Sequence, residues 1–402
     1  MIRAPRAAFV VGAISAVGAL AAGCAARDVV ASSSASSSPY CSGTGPPVLV
    51  GDGITVGDGD GTPDDVCTGT VAVLTFKRAL CTCAGYATST PVTTDSFDST
   101  AGPYAAGAAG TVGGVGIDGA LSASAQLAIG GSLVVAGGSA MLMQDAHVAR
   151  DLDIAGPLGT NINVTAGGDA KIGGDISLAS LMVTGTLTVP AGANLGGTVT
   201  AGATVRAPVA ITPPCACAAS ELVDIAAFVA SYRTTNDDAA IGLAPARLTG
   251  YSGDTAIDLP CGIYYLGAIH GTGMVTLRVT GRVAILVDGD VTMTSPLDVE
   301  LATSDAELDL MIGGTLTSNA RITIGDPAHP SRTRVYVGGN GTINLSGDSQ
   351  IAANVYAPTS AIAMSAPATV FGSLFVRTLQ QAAPLVIHYD EDVQRSDVGC
   401  FQ

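Results

Sequence analysis

The chain has 402 residues, 48% of them apolar, with 4% aromatics and no tryptophan, so its core must be built from Ala, Val, Leu and Ile and must be thin and repetitive. Its net charge of −16 with only two lysines, Lys77 and Lys171, excludes a nucleic-acid partner, which needs clustered basic residues to displace phosphate counterions. An acidic surface instead favours solubility and divalent cations.

Read from the start, Arg3 and Arg6 supply a positive n-region, and Phe9 to Ala22 is an apolar stretch too short for a comfortable transmembrane helix, which is the pattern of a secretion signal over 1–23. It ends in Leu20-Ala21-Ala22-Gly23-Cys24. This resembles the bacterial lipobox, with Ala21 where leucine is usual, and the resemblance implies lipidation of Cys24 and a membrane anchor. Ala25 follows instead of aspartate, so the usual sorting logic directs an exported, lipid-anchored protein to the outer membrane. The serine-rich run up to residue 40 cannot bury enough apolar surface to offset its ordering entropy and reads as a flexible tether.

Eight further cysteines, Cys41, Cys67, Cys81, Cys83, Cys215, Cys217, Cys261 and Cys400, are an even number in a protein bound for an oxidising compartment, so disulfides are expected. They fall into two groups, before residue 84 and after residue 214, which suggests two bridges within each group. Zinc is the rival, but Cys81-Thr82-Cys83 and Cys215-Ala216-Cys217 have one-residue spacers where zinc motifs have two or more. Between Cys41 and Cys67 the carboxylates of Asp52, Asp58, Asp60, Asp64 and Asp65 alternate with glycines. Such hard oxygen ligands can hold calcium, yet position 12 counted from Asp58 is Gly69, so no EF-hand loop is completed, and a solvated acidic turn is the plainer reading. Residues 41–110 are accordingly read as a disulfide-rich N-terminal cap.

From about residue 111 short apolar-polar alternations are punctuated by glycine pairs. Ile129, Val148, Ile172 and Leu195 open one series, at steps of 19, 24 and 23 residues; Val287, Ile312, Val337, Tyr356 and Val376 open a second, at 25, 25, 19 and 20. Coils of about 19–25 residues predict an all-β parallel β-helix, a solenoid over 111–210 and 251–392. In Thr186-Leu187-Thr188-Val189 and Ile343-Asn344-Leu345-Ser346 the aliphatics can all point inward. A hairpin β-sandwich would not make one phrase recur at coil length. Between the series, Pro213-Pro214-Cys215-Ala216-Cys217 breaks the pattern, and Leu222, Ile225, Ala226 and Val229 recur at helical spacing. Residues 211–250 thus read as an insertion with one amphipathic helix over about 220–233, covering an exposed face or end of the solenoid. Residues 393–402 form a tail.

Two segments carry a resemblance. Pro213 to Cys217 with its helix and Asn236-Asp237-Asp238, and the stretch from Ala353-Asn354-Val355-Tyr356-Ala357-Pro358 to Ile387-His388-Tyr389-Asp390-Glu391, together with Ala79-Leu80-Cys81-Thr82-Cys83, resemble myxobacterial cell-envelope proteins with an uncharacterised β-helical domain (DUF7305-like). The resemblance implies a structural domain and brings no catalytic residues. In repeat style the chain is also distantly similar to bactofilins, short cytosolic proteins from which an export signal sets it apart.

No Gly-x-Ser-x-Gly elbow, His-Glu-x-x-His helix or Walker loop accompanies His147, His270, His329 and His388, which are far apart and read as surface or turn residues. Asp151 with Asp153, or Asp288 with Asp290, beside Arg150 or Arg278, could form the carboxylate pair that glycoside chemistry requires, although i, i+2 acids on strands are also ordinary solvent-facing alternation. The sequence therefore predicts a lipid-anchored envelope protein with a scaffold or adhesion role, without catalysis and without a cofactor unless calcium binds. Its expected partners are the membrane and, beyond it, envelope proteins or polysaccharide. A carbohydrate-active enzyme is the alternative.

Overall fold

The computed structural model describes residues 39–42, 75–345 and 349–395. Within it the chain forms short strands that pair in parallel with the strands one turn before and after, giving a triangular rod with three stacked sides. On the second side, Val115 pairs with Leu133, Leu133 with Leu152 and Leu152 with Ala170, steps of 18, 19 and 18 residues. Inward positions such as Leu133, Val135, Leu152, Ile154 and Ile172 are almost completely buried, and their columns make the core. Alternation of two residues per repeat sends their neighbours outward. A single isolated antiparallel bridge, Ser96 to Gly110, is the exception to parallel pairing.

The spacing of turns differs from the sequence-based expectation. From residue 115 to 206 the steps run from 17, as from Ala170 to Leu187, to 19, as from Leu133 to Leu152; from 249 to 390 they range from 17 between Ala368 and Leu385 to 27 between Thr323 and Gln350. The reason lies in the glycine phrase, which occurs at all three corners. Ile129 and Val148 do stack, but Ile172 stacks on Ile154, on a different side. Likewise Val287, Ile312 and Val337 are true neighbours, whereas Tyr356 pairs with Tyr336 and Phe375, not with Val337 or Val376.

The order of turns along the rod departs from the order along the chain. Leu80–Thr82 pairs with Val115–Ile117 on one side and with Leu374–Val376 on the other, and Val92–Phe97 lies between Leu385–Asp390 and Leu127–Ile129. Residues 80–97 are therefore an internal turn, and the expected N-terminal cap over 41–110 is corrected to that extent. The rod starts at residues 249–259, runs to 390, continues from 80 and ends at Leu195–Arg206. Residues 207–248 are accordingly no insertion into a continuous coil; they join the two ends of the rod.

That joining segment climbs the outside of the second side as a strap. Pro214 approaches Gly116, where an added Cβ would lie 2.9 Å from the Pro214 Cβ. The Val223 N–H donates to the Tyr356 hydroxyl at 3.0 Å. Higher up comes the helix Ile225–Ser231, within the expected span but shorter, capped by Asp224 accepting the Ala227 N–H. It buries Ile225, Phe228 and Val229 and rests against Gly313 and Gly338, where a Cβ on Gly338 would meet the Ile225 Cβ at 3.2 Å. At the top, Asp237 and Asp238 accept the N–H groups of Ile263 and Tyr265 at 2.8 and 2.9 Å.

Candidate functional site

The strap changes the chemistry of the side it covers. The outward row on the second side reads Tyr265, Leu286, Met311, Tyr336, Tyr356, Phe375, Cys81, Gly116, Val134, Asp153 and Lys171 in register. Its members from Tyr265 to Cys81 are buried; where the strap ends the row turns polar, and Lys171 pairs with Asp153 at 3.7 Å. Tyr336, Tyr356 and Phe375 make successive ring contacts at 6.1 and 5.2 Å, and Phe76 adds one to Tyr336 at 6.2 Å. Each such burial stabilises by roughly 1.5–3 kcal/mol. Burial pushes the Tyr356 phenol up to about 12, so it stays protonated.

Among the described residues three disulfides hold this arrangement. Cys81 is joined to Cys215, Cys83 to Cys217 and Cys41 to Cys261. Each links the early group of cysteines to the late one, which corrects the expectation of bridges within each group: turns distant in sequence are neighbours in the rod, and the strap returns past them. A carboxylate oxygen of Asp118 and the sulfurs of Cys215 and Cys217 lie within 4.8 Å of one another, but both sulfurs are spent in disulfides and offer no thiolate to a metal. The Asp118 carboxyl is raised by burial, opposed by the Cys215 N–H that donates to it at 3.1 Å. Cys24, Cys67 and Cys400, and the acidic run Asp52, Asp58, Asp60, Asp64 and Asp65, lie outside the described residues.

The carboxylates singled out for glycoside chemistry are already engaged. Asp151 accepts the N–H of Asp169 one turn on, and Asp290 that of Thr315, at 3.0 and 2.8 Å. The same clip recurs from Asp145 to Asn163, Asp169 to Thr186, Asp175 to Asn194 and Asp254 to Met274. Asp153 pairs with Lys171, Asp288 with Arg233 of the strap at 2.7 Å, and Arg278 lies between Asp258 and Glu300. Arg150 is exposed.

Two clusters were not legible as sites. In the first, Arg334 donates to Asp309 at 2.6 and 3.1 Å and to Glu307 at 3.2 Å, in register one turn apart. Asp309 is 0% exposed. Burial alone would lower Arg334, but Asp309 and Glu307 outweigh it and hold the guanidinium charged; burial raises the Asp309 carboxyl, with Arg334 opposing. Arg282, stacked over the Tyr40 ring at 4.3 Å, donates to the Tyr40 carbonyl at 2.6 Å and ties the N-terminal segment to this cluster. In the second, His388 bonds Asp95 through Nδ1 at 2.7 Å, and Tyr104, from the excursion between Phe97 and Val115, donates to the other Asp95 oxygen at 2.7 Å. The Tyr104 ring stacks on His388 at 3.7 Å and contacts Phe371. Tyr104 is pushed up to about 12 by burial and by Asp95. Of the other histidines, His147 bonds Thr165 and His270 is exposed.

The resemblance expected from Pro213–Cys217 and the C-terminal stretch has a counterpart at the family level. Residues 218–396 match a domain of unknown function, DUF7305. The DUF7305 segment begins in the strap just after Cys217, takes in every turn from 249 to 390, and stops where Leu385–Asp390 meets Val92–Phe97. No curated protein and no solved structure matches the chain. Among the described residues no helix is long and apolar enough to cross a membrane.

Proposed function

We propose that this chain is an exported protein, lipid-anchored through Cys24 in the outer membrane of the cell envelope, that serves as a rigid scaffold or adhesion module and catalyses no reaction. The observation that carries this reading is the use made of the reactive-looking side chains. The acids of the outer faces accept backbone N–H groups of the next turn or pair with neighbouring cations, and the convergent Asp309, Arg334 and Tyr336 lie beneath other parts of the chain. Groups spent in this way hold a rod together and are not left over for general acid–base work on a polysaccharide. The disulfides Cys41–Cys261, Cys81–Cys215 and Cys83–Cys217 suit an oxidising compartment.

The anchor is tested by fractionation. Cys24→Ala should move the protein from the membrane fraction to the soluble fraction and abolish incorporation of a labelled fatty acid; label retained in the variant defeats the anchor. Catalysis is tested separately, by incubating the purified chain with acidic and neutral polysaccharides, where release of new reducing ends or unsaturated products would reverse the reading. Calcium at Asp52, Asp58, Asp60, Asp64 and Asp65 is tested by melting with and without chelator. An unchanged melting temperature would leave those residues as a solvated turn.

A further inference from the structure

The two ends of the rod are finished differently. At the start, Asp237 and Asp238 satisfy N–H groups of the second side; the outermost strands of the other two sides, Thr249–Ser252 and Thr255–Leu259, pair only inward among the described residues, with Asp254 and Asp258 putting charge beside them. At the other end the last turn, Leu195–Arg206, pairs with Ile176–Val189 and, among the described residues, with nothing beyond it. Its core positions Leu195, Val199 and Ala201 are only half-buried. Exposed strand edges are templates for pairing, and proteins ordinarily blunt them with charge, proline or a covering segment.

Here charge is missing. From residue 176 to residue 212 the one charged side chain is Arg206, in a chain of net charge −16. Arg206 turns back to donate to the carbonyls of Pro190 and Ala193 at 3.1 and 2.6 Å. Independently, of the exposed large apolar side chains of the described residues, Val205 lies on this last turn and Met182 on the one before it, while Met141 and Met143 lie three turns back. A neutral edge and exposed apolar side chains at one end of an acidic rod mark it as an interface.

We infer that the end formed by Leu195–Arg206 docks a second copy of this chain, edge to edge about a two-fold axis. The complement of an uncharged strand edge is another such edge, and the same edge of a second copy supplies it. Elsewhere the acidic surfaces of two copies repel; at this end they do not. Because a two-fold contact uses the same edge of both copies, and the opposite end carries Asp237, Asp238, Asp254 and Asp258, whose like charges repel, association closes at two copies and does not propagate. This goes beyond the scaffold reading and stands without it.

Sedimentation of the full chain over a wide concentration range, in density-matched detergent, tests the inference. The expected result is a monomer–dimer equilibrium with no larger species, weakened by roughly tenfold or more in Thr198→Asp/Thr200→Asp, which puts like charges on facing edges. Thr292→Asp, on an exposed strand position far from this end, should leave the equilibrium unchanged. Melting temperature and non-reducing electrophoresis establish that each variant is folded and correctly bridged; if the double variant fails this check, slowed amide exchange of residues 198–206 on concentrating the wild type serves in its place. A monomer at every concentration, a dimer indifferent to the double variant, an open-ended series, or edge amides that exchange independently of concentration overturns the inference. A monomer that still fractionates with membranes leaves the anchor reading standing.

Discussion

From residue 255 to 390 and from 80 to 206 the rod uses the same inward columns of Ile, Leu, Val and Ala, yet the second-side outward rows have opposite character. Under the strap that row is Tyr265, Leu286, Met311, Tyr336, Tyr356 and Phe375, all buried; beyond the strap it becomes Asp153 and Lys171. One half is therefore a two-layer structure with packing on both faces of its second side, and the other is a single-walled coil held by core columns and backbone clips. An outward position in a solenoid is polar only where water reaches it. The match to DUF7305 covers the two-layer half with the part of its strap from residue 218 on, and stops before the single-walled half.

The largest effect should come from the bridges that pin the strap. Replacing Cys81 and Cys215, or Cys83 and Cys217, by serine opens a link across a sequence separation of 134, and roughly 3–5 kcal/mol should be lost for each, read from the urea midpoint under non-reducing conditions. An unchanged midpoint would mean that the strap holds by packing alone. Next is the buried ion pair: Arg334→Met should cost about 3–5 kcal/mol by stranding Asp309, while Asp309→Leu/Arg334→Met should recover most of it. Failure of the double variant to recover would show that Glu307 and the Tyr40 segment, not Asp309, dominate the cluster.

A smaller effect separates the two halves sterically. Gly338→Val should destabilise by about 1–3 kcal/mol because its side chain meets Ile225 and Ala226 of the strap; Gly192→Ala, with nothing within 4 Å, should be close to neutral. Equal losses in thermal melts would contradict the close approach. The smallest effect is electrostatic and belongs to the single-walled half. Asp145 and Asp175 are held below the usual carboxylate range by the backbone N–H groups of Asn163 and Asn194. Their folded pKa lies below the unfolded one, so their contribution is complete above the unfolded value and disappears as pH falls through the folded one. The stability difference between wild type and Asp145→Ala/Asp175→Ala should therefore be present at neutral pH and shrink on acidification; a difference that grows toward acid would refute the clips.

Much of the single-walled half was legible in sequence because water enforces alternation there: Leu187 and Val189 turn in where Thr186 and Thr188 turn out, and the glycine phrase marks the corners. The clips were hidden, since Asp151 and Asp290 look like candidate catalytic acids until the next turn is seen to place an N–H beside each. In the two-layer half alternation fails for a physical reason. Tyr336 sits between the inward Val335 and Val337, and Tyr356 between Val355 and Ala357, and nothing local says that a segment more than a hundred residues away lies on top of them.

What the sequence by itself determined is the all-β repeat, its aliphatic core and the supply of cysteines for an oxidising compartment, because these depend on period and composition, which local chemistry fixes. Only the tertiary structure decided the order of turns, the partners of the cysteines and the burial of His388, Asp309 and Arg334. Parallel pairing joins residues far apart in the chain, and the choice of stacking Leu80 on Leu374 instead of starting the rod at residue 80 is made by long-range packing that no local pattern encodes.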